Sequence, residues 1–178
     1  YYHREQAQAY ASVLRSEGFD VRVGGVPAYS TLGWFDDPLL STFIHYPEAE
    51  LARLVFHELA HQVLYVAGDT PFNEAFATAV EEAGVARWLK LHGDAAMQDD
   101  YWRYASRRED FIALLEKHRH ALEATYEQEI SDRCKRRRKA RILAALQDEY
   151  QTLKLGWGGY TGYDRWFSEP LTNAHLLS

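Results

Sequence analysis

Residues 51–82 read LARLVFHELAHQVLYVAGDTPFNEAFATAVEE. Within them His57-Glu58-Leu59-Ala60-His61 is an HExxH pattern, and Asn73-Glu74-Ala75-Phe76-Ala77 follows it. On a helix, positions i and i+4 share a face, so the imidazoles of His57 and His61 can reach one metal ion. Glu58 stands beside them, within reach of a water on that metal. Zinc in a hydrolytic site takes three protein ligands and keeps a further position for water or substrate. A third ligand is therefore needed, and Glu74 is the first choice.

The flanks predict a helical hairpin. Leu51, Leu54, Val55, Leu59, Val63 and Val66 recur at helical spacing and supply an apolar face, and Pro47 before Glu48 reads as a first-turn proline. Gly68-Asp69-Thr70-Pro71 is a break, with Thr70 as N-cap and Pro71 at the first position of the next helix. At the rise of an α-helix, Glu74 lies about 5 Å into that second helix, level with His61 if the first helix ends near Tyr65. Glu81, about 15 Å along, lies nearer the level of His57. It is the alternative ligand; otherwise it is expected behind the ligands with Thr78, because positions 74, 78 and 81 share a face. The competing reading, an amphipathic segment with two surface histidines, leaves the helix break and the second carboxylate helix unexplained.

The chain has 178 residues, which predicts a single domain with a real core, and its 47% apolar content predicts a globular one. A net charge of −6 argues against general nucleic-acid binding. Cys134 is the single cysteine, so no intramolecular disulfide can form. No apolar run is long enough to span a bilayer, and no signal-peptide pattern opens the sequence.

Residues 2–17 read as a helix stopped by Gly18. Phe19, Val21 and Val23 then alternate with Asp20 and Arg22, the period of a half-buried strand. Residues 28–32 can form a second strand, closed by Gly33 and the Asp36-Asp37-Pro38 turn. Such a strand either pairs with an extended peptide and holds it over the metal, or is an ordinary hairpin on a small sheet. Asp36 and Asp37 either anchor a substrate α-amine or make the turn. The expected fold class is α+β, mostly α: an HExxH helix in a zincin-like setting, a small sheet or hairpin, and a long helical pair.

Residues 94–155 contain no glycine or proline and carry apolar residues at helical spacing. They predict two or more long helices, an antiparallel pair turning near Ser131-Asp132. Arg133, Lys135, Arg136, Arg137, Arg138, Lys139 and Arg141 form a basic run, read first as a solvated helix face. If the run instead binds phosphates or lipid headgroups, the protein becomes a non-catalytic scaffold that meets a partner or membrane surface through its long helices.

Residues 156–167, GWGGYTGYDRWF, combine glycines that let backbone approach closely with phenolic donors. Zinc peptidases stabilise the oxyanion of the tetrahedral intermediate with the metal plus a donor, often Tyr or His. Tyr163 and Tyr160 are the candidates, Tyr163 preferred because Asp164 and Arg165 can orient it. The alternative is an aromatic packing loop.

AYSTLGWFDDP at 28–38, FHELAHQ at 56–62, FNEAFA at 72–77, WGGYTGYDRWF at 157–167 and LTNAHL at 171–176 together resemble the bacterial putative zinc aminopeptidases, within the broader gluzincin group. The resemblance implies a metallopeptidase acting on peptide substrates, with one zinc per chain held by His57, His61 and Glu74 and with Glu58 as base. Asn73-Glu74-Ala75 also looks like the glutamate-ligand motif of thermolysin. The spacing from His61 to Glu74 is shorter than in thermolysin and the alanyl aminopeptidases, and the glycine-rich exopeptidase motif of the latter is absent. Members of the family are generally longer at both ends and often begin with a lipoprotein-type signal. This chain is thus expected to be part of a longer protein of the bacterial envelope or periplasm, with room for a membrane tether in the full-length form.

Overall fold

The computed structural model describes residues 3–24 and 45–176. The regular elements are α1 (Arg4–Ser16), α2 (Glu48–Val63), α3 (Thr70–His92), α4 (Ala95–Tyr126), α5 (Asp132–Gly156), a short 3-10 helix (Asp164–Phe167) and α6 (Asn173–Leu176). Among the described residues there is no strand, so the α+β, zincin-like expectation gives way to an all-helical architecture. The first expected strand fails at Phe19, Val21 and Val23. There the chain leaves α1 through Gly18 and runs without a ladder partner among the described residues, its Val21 carbonyl taken by the Arg15 side chain at 3.3 Å. Alternating residues supply the pattern of a strand, but only a neighbouring strand can satisfy its backbone. The second expected strand (28–32) and the Asp36-Asp37 turn lie outside the described residues.

Packing divides the chain into two units, one of residues 25–104 and one of residues 1–24 with 105–178. In the first, α2 and α3 form an antiparallel hairpin. Pro47 caps α2 with its carbonyl, which accepts from Leu51 N at 2.9 Å, and Glu48 and Glu50 lie in the first turn, where the helix dipole favours acids. Gly68 at φ +84° turns the chain, a conformation that side chains with a Cβ rarely adopt. The cap of α3 is Asp69 rather than the expected Thr70. Its carboxylate accepts from Phe72 N at 3.1 Å, which moves Thr70 and Pro71 into the first turn.

The face of α2 that packs is also not the one its leucines and valines suggest. Ala49, Ala52 and Phe56 meet Val85, Leu89, Trp88, Met97 and Tyr101, whereas Val55, Leu59 and Val63 remain exposed among the described residues. Small residues decide this. Ala60 and Ala77 are buried, and a Cβ at Gly84 would stand 2.7 Å from the Phe56 ring, so the two helices approach where their side chains are least bulky.

In the second unit, residues of α4 and α5 pair in antiparallel order. Lys135 Nζ bonds Tyr126 O, Lys117 Nζ bonds Glu149, and Trp157 Nε1 bonds Asp110. Ser131 caps α5, accepting from Cys134 N at 3.4 Å. The core between them holds Phe111, Leu114, Leu122, Leu143, Leu146 and Tyr150, with Leu176 of α6. The basic run lies on the outward side of α5. Lys139 pairs with Asp20 and Arg138 with Gln128, while Arg133, Arg136, Arg137 and Arg141 are solvated. Among the described residues no helix is long and apolar enough to cross a membrane.

His175 on α6 is buried, its Nδ1 accepting from Thr172 N at 3.1 Å and its ring packed edge-on to Trp166. Burial pushes its pKa below the ordinary 6.5. Below pH 6.5 the unfolded chain therefore takes up a proton that the folded chain resists. Stability is expected to fall as pH drops from 6.5 to the lowered folded value, then to level off with respect to this group. Denaturant melts across this range should show the decline in the wild type and a shallower one in His175→Gln. Parallel profiles would rule the residue out as its source.

Candidate metal centre

The HExxH residues lie near the middle and end of α2, and His57 and His61 point from one face of it toward α3. Glu74 comes from the first turns of α3. Its level is set by Asn73, a buried side chain that both donates to Val66 O and accepts from Val66 N, each at 2.8 Å. This reciprocal pair clamps the turn to the start of α3. Because α2 ends at Val63, before Tyr65, Glu74 reaches both histidines.

His57 Nε2 lies 3.3 Å from Glu74 Oε2, and His61 Nε2 lies 3.7 Å from Glu74 Oε1. Ligand atoms of the three residues all fall within 4.8 Å of one another. Two imidazole nitrogens and a carboxylate are the donor types that zinc takes, and an ion seated among them would join atoms now only in loose contact. The residues fit a zinc ion. The Glu74 side chain is 56% exposed.

Glu81, the alternative ligand, sits elsewhere. Its Oε2 is 2.9 Å from His57 Nδ1, the ring nitrogen other than the one next to Glu74. It therefore stands behind His57, and Thr78, expected beside it, makes none of these bonds. Arg53 Nη1 reaches both Glu81 oxygens, at 2.9 and 3.0 Å, and Arg53 Nε donates to Glu50 at 3.0 Å. The hydrogen bond to Glu81 holds the His57 pKa above its ordinary value despite partial burial. Sequence reading missed Arg53 and Glu50. The signal was present, since 50, 53 and 57 follow one another at helical spacing on the face that carries the histidines.

Glu58 is half-buried on α2 beside His57. The remaining candidates, Tyr160 and Tyr163, belong to the other unit. The Tyr163 ring stacks on Phe111 at 4.0 Å between centroids, and Tyr160 packs edge-on to Tyr163 beneath the Arg107 guanidinium. Asp164, expected to orient Tyr163, accepts instead from Tyr150 Oη and Lys154 Nζ, both at 2.6 Å.

A family model described as "Putative aminopeptidase" matches residues 1–178. The chain belongs to this putative aminopeptidase family. The match runs through both units, so it takes in the histidine pair and Glu74 as well as the aromatic loop with Tyr160 and Tyr163. No curated protein and no solved structure matches the chain. The family's description points to a peptidase.

Proposed function

We propose that this aminopeptidase-family chain is a zinc-dependent peptidase whose metal is held by His57, His61 and Glu74. The observation that supports the reading is the convergence of those three side chains, within 4.8 Å, from two helices that the Asn73 clamp keeps in register. Zinc, when bound, supplies a Lewis acid that polarises a carbonyl and lowers the pKa of water toward neutrality. The chain's own residues supply the rest. His57 and His61 present their Nε2 lone pairs from one helix face, and Glu74 adds the anionic donor from the other helix.

Glu58 is the general base. It accepts a proton as the water oxygen bonds to the scissile carbonyl carbon, and it delivers that proton to the nitrogen as the carbon–nitrogen bond breaks. The products are a carboxylate and a free amine. In this reading the substrate is a peptide, cleaved in the aminopeptidase manner that the family's description suggests.

The test is metal content. Purified protein supplied with zinc should retain about one ion per chain by elemental analysis, and His57→Ala should retain almost none. A wild type that keeps no zinc, or a variant that keeps as much, would overturn the assignment.

A further inference from the structure

We infer that Arg53 is the positioning residue of this metal centre, holding Glu81 so that Glu81 fixes the ring of His57; the inference rests on the zinc reading above. Arg53 lies one helical turn before His57, so both side chains leave the same face of α2. Its guanidinium is anchored on one side by Glu50 and grips Glu81 on the other, in a setting where Glu50 is 7% and Glu81 2% exposed. Arginine suits this place because its planar, permanently charged group orients a carboxylate through several bonds at once.

The consequence runs to the metal side of the histidine. A carboxylate paired with arginine only accepts hydrogen bonds, so at 2.9 Å from His57 Nδ1 it requires the ring proton there. In the neutral ring the lone pair is then on Nε2, the nitrogen facing Glu74, where a metal needs it. Among the described residues His61 has no comparable support. Its Nδ1 is buried without a hydrogen-bond partner among the described residues. The orientation of His57 is thus set through the line Glu50, Arg53, Glu81, His57.

The experiment compares zinc affinity, by competition with a chromogenic chelator, in the wild type, Arg53→Gln, Arg53→Lys and Glu81→Gln, with circular dichroism confirming the fold of each. In parallel, nitrogen-15 spectra of the metal-free proteins, recorded at a pH high enough for His57 to be neutral, report which of its ring nitrogens carries the proton. Arg53→Gln and Glu81→Gln are expected to bind zinc roughly 10- to 100-fold more weakly and to lose the single Nδ1–H form, and Arg53→Lys to recover part of the affinity. If Arg53→Gln does not fold, Glu81→Gln carries the same expectation with the guanidinium still held by Glu50. Wild-type affinity together with an unchanged His57 signal in the folded variants would overturn the role of Arg53 while leaving the zinc site standing. A wild type that binds no better than His57→Ala would overturn the zinc site itself.

Discussion

Glu58→Gln is expected to lower peptide hydrolysis by roughly 10²- to 10⁴-fold while zinc content stays at the wild-type level, the usual contribution of a positioned general base. The substitution is nearly isosteric and lies beside the ligands, not among them, so the arrangement of His57, His61 and Glu74 should persist. What disappears is the group that takes the proton from water and returns it to the leaving amine. The effect should fall on kcat, because proton transfer belongs to the transition state more than to binding. The measurement is kcat and KM on an unblocked peptide substrate, alongside elemental analysis of the same preparations. Activity within a few-fold of wild type, with zinc retained, would remove Glu58 from the mechanism. Loss of zinc together with activity would show instead that Glu58 is needed to build the site.

Tyr150→Ala is expected to cost about 3–5 kcal/mol of stability, comparable to other large-to-small changes of buried aromatic residues. Tyr150 is fully buried at the centre of its unit. Its ring stacks on Phe167 at 4.1 Å and meets Phe111 and Trp157 edge-on, so truncation removes contacts from three aromatic neighbours. Its hydroxyl donates to Asp164, and burial with that carboxylate beside it pushes the phenol's pKa up, keeping the proton in place. Tyr150→Phe separates the two contributions. It keeps the packing and removes one hydrogen bond to a carboxylate that Lys154 still holds, so a smaller loss, about 1–2 kcal/mol, is expected. Denaturant unfolding of both variants checks the order. A phenylalanine variant as weak as the alanine one would mean that the hydroxyl, not the ring, carries the stability.

The sequence by itself determined the parts of this protein that depend on neighbours along the chain. His57 and His61 share a face because the spacing i, i+4 makes it so on any α-helix. Gly68 with Asp69 and Pro71 forces the chain to turn and begin a second helix, and the glycine-free run ending at Leu155 holds nearly all of the two long helices, the second of which begins after Ser131 and ends at Gly156. Tertiary structure decided whatever depends on which faces meet. Exposed Val55, Leu59 and Val63 mimicked a buried stripe, but Ala60, Ala77 and Gly84 let the helices approach on another side. The alternation at Phe19, Val21 and Val23 mimicked a strand but has no partner among the described residues. The choice between Glu74 and Glu81 was likewise out of reach of spacing. Both lie on the face of α3 turned to the histidines, and only the register of the hairpin, set by the Asn73 pair with Val66, brings one to the Nε2 atoms and the other to Nδ1 of His57. A linear pattern records periodicity; contact between two helices depends on the size of the side chains between them.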